Sequence, residues 1–169
     1  GLDLAPGMLA HAQAQYGDAI RWEQGDAAAL PLSDASVDLV FSNLAIQWCP
    51  DIGAVMQELA RVLAPGGQAR ITTLLPGTLH EVATAWQRPE ALLQTPDAST
   101  VRRAIARSGL RLTHHVREQR RFFYPDLNAV MASIKGVGAQ VARPNARLTR
   151  QALATAQVRY ESLRTPQGL

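Results

Sequence analysis

Apolar residues recur along this chain on two periods, and the changes from one to the other mark out its elements. Leu2 and Leu4 flank Asp3 at alternate positions, the spacing of a strand end. Leu9, Ala12 and Tyr16 then recur at helical spacing up to a stop at Gly17, and Pro6 suits the first turn of that helix, where its missing N–H costs nothing. Ile20 to Gln24 reads as a short second strand. A polar, alanine-rich loop through Pro31 leads to residues 37 to 43, whose near-continuous apolar run predicts a strand in a sheet covered on both faces. Asp51 caps a predicted helix carrying Ile52, Val55, Met56, Leu59, Val62 and Leu63 on one stripe, and Pro65-Gly66-Gly67 ends it. Ala69 to Leu75 is the next strand.

Strand, helix, strand, strand, helix, strand is the order of a doubly wound α/β layer with a mostly parallel sheet. Beyond it the pattern predicts a helix from Thr78 to Trp86, and another opened by Asp97 or Ser99, running to Arg107 and stopped by Gly109. Residues 111 to 124 read as a long strand. Asp126 opens a helix that aligns Leu127, Val130, Met131 and Ile134. Thr149 caps a last helix, with Leu148 and Leu153 spaced as a hydrophobic staple. No internal repeat interrupts the series, so the expectation is one domain over residues 1–169.

Composition narrows the class. With 47% hydrophobic and 18% charged residues over 169 positions, the chain has the apolar material for a core, which excludes a disordered or collagenous protein. Cys49 is the single cysteine, so no intrachain disulfide forms and a reducing, cytoplasmic setting is expected. No apolar run approaches the ~20 residues of a membrane-spanning helix, and no membrane role is expected. The net charge of +3 comes largely from arginines at 102, 103, 107, 111, 117, 120 and 121. A solvated arginine-rich face explains them more economically than a nucleic-acid site, and an acidic partner remains open.

Candidate chemistry gathers where the strands end. Asp3, at the carboxyl end of the first strand, suits either a ribose-binding carboxylate or a cap for the helix that follows. After the second strand, Asp26 in Gly25-Asp26-Ala27 can accept from an adenine amino group while the Ala27 N–H donates to the ring; a plain Gly-Asp turn is the alternative. Ser42 and Asn43 follow the third strand. In parallel strands all three sites share one edge, which fits an adenosine-like ligand. Downstream, SNLAIQWCPD adds Gln47 and Trp48, the latter readable as a pocket wall or as a core residue pinning the next helix. Cys49 fits a small buried hydrophobe better than a nucleophile, since no His is close in sequence. His114 and His115 are adjacent on the predicted strand and point to opposite faces, so no metal site is expected.

DLAPGMLAHA, GDAAALPLSDASVDLVFSN and ELARVLAPGG resemble the motifs that follow the glycine loop in class I S-adenosylmethionine-dependent methyltransferases, which implies their Rossmann-like fold. SNLAIQWCPD, ITTLLPGTLHEVATAW, SIKGVGA and RLTRQAL are together similar to the malonyl-acyl carrier protein O-methyltransferases of biotin synthesis, and this resemblance spans nearly the whole chain. It implies S-adenosylmethionine as cofactor, with Asp3, Gly25, Asp26, Ala27, Ser42 and Asn43 bordering it. It implies an acidic acyl carrier protein bearing a malonyl thioester as partner. Gln47, Trp48, Thr72, Thr73 and Lys135 become candidates to face or orient the acceptor, although ordinary strand and helix positions explain the threonines and the lysine as well. Arg117, Arg120 and Arg121 become candidates for docking the carrier. A methyltransferase on a quinone precursor or other small acceptor, and a fold retained without cofactor binding, are the alternatives. The sequence departs from the pattern in the stretch Gln87 to Thr95, which lacks His-x-Asn-x-Phe after Trp86. The family's sheet order, 3-2-1-4-5-7-6, implies a first strand with its glycine loop upstream of Gly1 and an antiparallel strand beyond Leu169. The expectation is therefore a sheet incomplete at both ends, unable by itself to bind the cofactor well.

Overall fold

In a computed structural model of the chain, residues 1–87, 94–136 and 149–166 are described. They fall into two units, Gly1–Pro76 with Gln94–His115, and Gly77–Leu93 with Val116–Leu169.

The first unit carries the strands. β1 (Leu2–Asp3) pairs in parallel with β2 (Glu23–Gln24), and β3 (Val37–Asn43) pairs in parallel with β4 (Leu63–Thr72). Among the described residues these are two separate two-stranded sheets. α1 (Pro6–Tyr16) connects β1 to β2 with Pro6 in its first turn, as its sequence predicts, although none of its residues is fully buried. β4 begins at Leu63, ahead of the predicted Ala69, because Val37 already pairs with Leu63; the register then shifts opposite Pro65-Gly66-Gly67. Gly66 lies at φ +83°, a conformation that favours glycine.

α2 (Ile52–Val62) follows its sequence signals closely. The Asp51 side chain accepts from the Ala54 N–H at 3.0 Å, and Val55, Met56, Leu59 and Val62 are buried along one stripe. α4 (Ala98–Ser108) is capped by Asp97, which accepts from the Thr100 N–H at 2.7 Å, and stops at Gly109 with φ +85°. Met56, Leu59, Ile46 and Ala104 form a core packed against Val40, Ala69 and Ile71 of β3 and β4. The opposite face departs from the expectation of a sheet covered on both sides: Leu39 and Phe41 stand 57% and 73% exposed, because α2 and α4 pack on one face alone.

A polar clamp ties the loop before β3 to α2. The Arg61 guanidinium donates to the carbonyls of Leu32 (2.7 Å) and Leu30 (3.0 Å), to Asp34 (2.7 Å) and to both carboxylate oxygens of Glu58, which also accepts from the Leu30 N–H. These hydrogen bonds, led by Arg61, hold the Glu58 carboxyl down at about 2. A carboxylate lowered in the folded state stabilises it fully above the unfolded pKa of roughly 4.3, and the contribution disappears as pH falls toward 2. Replacing Glu58 by Gln is expected to flatten the loss of thermal stability between about pH 5 and pH 2. Parallel melts of both proteins across that range check it, and an unchanged pH slope would contradict the clamp.

The second unit is helical. α3 (His80–Trp86), α5 (Leu127–Gly136) and α6 (Arg150–Glu161) bury Val82, Ala85, Leu127, Val130, Ala156 and Tyr160 against one another. Thr149 caps α6 as its sequence predicts, accepting from the Ala152 N–H at 3.1 Å, while its staple partner Leu148 lies outside the described residues. The strand expected over residues 111 to 124 does not form; the segment is irregular and largely exposed. A strand is held by a ladder of hydrogen bonds to a neighbour, and none of the described residues supplies that neighbour.

Candidate functional site

The carboxyl ends of all four strands carry the polar residues singled out in the sequence. At the end of β1, one oxygen of Asp3 accepts from the Ala5 N–H at 2.8 Å and so holds the entrance to α1. Its other oxygen accepts from no described residue. Asp3 thus acts in the turn and still presents a free acceptor.

Beyond β2 the Gly25 N–H donates to the Asp3 carbonyl at 3.1 Å, and a Cβ at Gly25 would stand 2.7 Å from Pro31 Cδ, so only glycine fits. Asp26 starts a tight turn, accepting from the Ala28 N–H through its side chain (2.8 Å) and from the Ala29 N–H through its carbonyl (3.0 Å). The turn leaves the Ala27 N–H with no acceptor among the described residues. A free carboxylate oxygen and a free backbone donor at neighbouring strand ends match the acceptor and donor needs of an adenosine.

At the ends of β3 and β4, four of the expected residues meet in one hydrogen-bonded chain. Thr72 donates its hydroxyl to the Asn43 side-chain carbonyl and accepts from the Leu44 N–H at 3.1 Å. The Leu44 carbonyl accepts from Gln47 Nε2 at 2.6 Å, and Thr73 donates to Gln47 Oε1 at 3.3 Å. Gln47 is 4% exposed, the single buried polar side chain among the described residues. Both ends of its amide are taken up inside the chain, so it holds the turn in place of facing outward. That turn is tight, with Leu44 at φ +50°, a left-handed conformation uncommon for a branched residue. Ser42 is half-buried on β3, and Trp48, closing the short helical turn Ile46–Trp48, is 42% exposed.

Cys49 follows, half-buried among Ile46, Met56 and their neighbours; burial pushes its thiol up from its ordinary value, and Asp26 adds to the rise. Ala27, Ala28 and Cys49 pack against the same core, so the β2 and β3 exits adjoin. In the helical unit, Lys135 is exposed near the end of α5. Arg117, Arg120 and Arg121 are exposed on the irregular segment, and Arg120 pairs with Glu118 at 2.8 Å. Residues 88–93, where the His-x-Asn-x-Phe departure falls, and the end of SIKGVGA from residue 137 with the stretch after it to 148 lie outside the described residues. The Arg61 clamp is what sequence reasoning missed: Glu58 and Arg61 stand three apart on a helix, a visible signal, but the carbonyls they serve are about thirty residues away.

Residues 1–71 match the family described as methyltransferase domain. Over 64% of this chain and 61% of the other, the structure superposes on an S-adenosylmethionine dependent methyltransferase from Mesorhizobium loti with a TM-score of 0.51 at 25% identity. This is a class I methyltransferase fold. Each of the two pairs, β1–β2 and β3–β4, is parallel, as in that fold. Among curated proteins, the chain is 40% identical to the biotin biosynthesis bifunctional protein BioHC of Cellvibrio japonicus, over 99% of this chain and 35% of that protein. It is 42% identical to the malonyl-[acyl-carrier protein] O-methyltransferase of Erwinia billingiae, over 82% of this chain and 55% of that one. The corresponding enzyme of Serratia marcescens is 38% identical, over 94% and 63%. The chain therefore spans roughly a third to two thirds of the relatives it matches.

Proposed function

We propose that the intact protein transfers a methyl group from S-adenosylmethionine to the free carboxylate of malonyl-acyl carrier protein, giving the methyl ester used in biotin synthesis. The observation that carries this reading is the likeness, near 40% identity over 82–99% of the chain, to two proteins named malonyl-[acyl-carrier protein] O-methyltransferase and one named for biotin biosynthesis.

The free oxygen of Asp3 takes the ribose hydroxyls, and Asp26 with the Ala27 N–H takes the adenine edge. Ser42 and Asn43 border the methionine end. The bound cofactor supplies an electrophilic methyl on a sulfonium. Its acceptor is a carboxylate with an ordinary pKa of about 4 or below, already ionised at neutral pH, so no base is required of the protein. A carboxylate oxygen forms the new bond to the methyl carbon as the carbon–sulfur bond breaks, and its electron pair stays on sulfur. The protein's work is to orient the two reactants and exclude water. Thr72 and Thr73, fixed by Asn43 and Gln47, set the floor on which the acceptor rests, and exposed Trp48 stacks beside the sulfonium arm through a cation–π contact worth about 0.5–2 kcal/mol.

Incubating the intact protein with labelled cofactor and malonyl-, succinyl- or acetyl-carrier protein tests the reaction. Label is expected on malonyl-carrier protein and absent from acetyl-carrier protein, which has no free carboxylate. Transfer to a quinone precursor with no label on any carrier protein would overturn the proposal.

Asp3→Ala and Asp26→Ala are each expected to weaken cofactor binding about tenfold or more, since a hydrogen bond to a charged acceptor is worth about 1.5–3 kcal/mol. Calorimetric affinity unchanged in both variants would confine these residues to their turns.

The exposed arginines at 117, 120 and 121 dock the acidic carrier. Charges at an exposed interface act mainly on association and are screened by salt, so a triple alanine variant is expected to raise KM for carrier-bound substrate and to reduce its salt dependence, leaving a small malonyl thioester unaffected. An equal response from both substrates would make the segment structural.

A further inference from the structure

The helical unit holds a cleft that no step above uses. Its first lobe, of about 360 Å³, is lined among the described residues by Trp86, Gln151, Thr155 and Arg159. A second lobe of about 230 Å³ shares Trp86 and Thr149 with the first and continues past Met131 and Leu153. The first lobe is polar and cationic, and the second, though mostly apolar, is also lined by Asn128 and Arg150.

Among the described residues, two of its groups lack partners. Arg159 is half-buried, yet no carboxylate or carbonyl among the described residues accepts from its guanidinium; the acidic side chain nearest to it on α6, Glu161, is paired with Arg164 instead. The Trp86 indole N–H is buried with no acceptor. Among the described residues no aspartate or glutamate lines either lobe. A partly desolvated cation without a counter-charge and a donor without an acceptor call for a ligand that is anionic at one end and rich in carbonyl acceptors. The apolar lobe calls for a slim aliphatic portion in the same molecule.

We infer that this cleft binds the phosphopantetheine arm of the carrier-bound substrate, with Arg159 on the phosphate and the aliphatic part of the arm against Met131, Leu153 and the Trp86 ring. The inference rests on the reading that the intact protein acts on malonyl-acyl carrier protein. It makes Arg159 a substrate-binding residue distant in sequence from every strand-end group.

The test uses the intact protein labelled with 15N at its tryptophan indoles, the Trp86 signal being assigned by its loss in Trp86→Phe, so that Trp86 reports the cleft. Titration with 4′-phosphopantetheine is expected to give a saturable spectral change, and pantetheine lacking the phosphate to bind at least tenfold more weakly, the scale of one charge-assisted contact. Arg159→Gln is expected to abolish that difference and Arg159→Lys to restore part of it. Because Arg159 has no partner among the described residues, neither variant should alter the melting midpoint. The inference is overturned by the absence of a saturable change, by equal affinity for the two ligands, or by inorganic phosphate competing as well as phosphopantetheine does. Label transfer to malonyl-carrier protein without binding in the cleft would overturn this inference alone, whereas binding without label transfer would overturn the enzymatic reading alone.

Discussion

Gln47→Leu is expected to destabilise the protein by about 1–3 kcal/mol and to weaken S-adenosylmethionine binding by the intact enzyme roughly tenfold. The leucine fills much the same space but leaves the Leu44 carbonyl without its donor and Thr73 without its acceptor, and an unpaired polar group in a part-buried site carries its full desolvation cost. The second effect follows from the first. Gln47 fixes the Leu44 carbonyl, the Leu44 N–H is fixed by Thr72, and Thr72 holds the Asn43 side chain at the proposed methionine end. Denaturant melts and calorimetric titration of the same variant separate the two. Lost stability with unchanged affinity would mean that the network braces the turn without positioning Asn43.

Met56→Ala is expected to cost more, about 2–5 kcal/mol, the range for truncating a buried Leu, Ile or Met where the surroundings relax only in part. Met56 is 1% exposed between α2 and the β3–β4 sheet, in the core shared with Ile46, Leu59 and Ala104. Met56→Leu, which nearly conserves volume, is expected to cost under about 1.5 kcal/mol. Chemical denaturation of both variants checks the pair, and a loss below about 1 kcal/mol for the alanine would remove Met56 from the stabilising core.

Legibility in the sequence followed how local each interaction is. Asp51, Asp97 and Thr149 each accept from an N–H three residues on, so a pattern four residues wide contains the whole cap, and all three helices start where it predicts. The stripe of α2 was equally plain. Residues 111 to 124 alternate like a strand, but alternation states only which face would be buried and a strand exists only with its neighbour; the segment has none among the described residues. The exposed face of Leu39 and Phe41 is the same lesson for a whole sheet: an apolar run expresses a need for cover without providing it.

The site was legible in its residue types and less so in its wiring. Asn43, Gln47, Thr72 and Thr73 do come together, yet they bond first to one another, a fact of pairing across nearly thirty residues that no local pattern records. Asp3 and Asp26 answer to their turn readings, each holding its own turn with one oxygen, and the other oxygen is left for the ligand proposed above. The division into two units was not read from the sequence. The chain crosses between them three times, after Pro76, Leu93 and His115, so that each unit is assembled from two separate lengths of chain.

Cys49 gives the molecule a clock. As the chain's single thiol, raised by burial and by the Asp26 carboxylate, it holds little thiolate at neutral pH while the Ile46–Trp48 turn stays seated on α2. Alkylation is then slow while the turn is seated and faster each time it lifts, so the pace at which a small electrophile marks Cys49 rises with the openings of the very loop that carries Gln47 and Trp48. Any ligand that settles on the strand ends slows that pace, and its occupancy becomes readable from one sulfur atom without touching the groups that bind it.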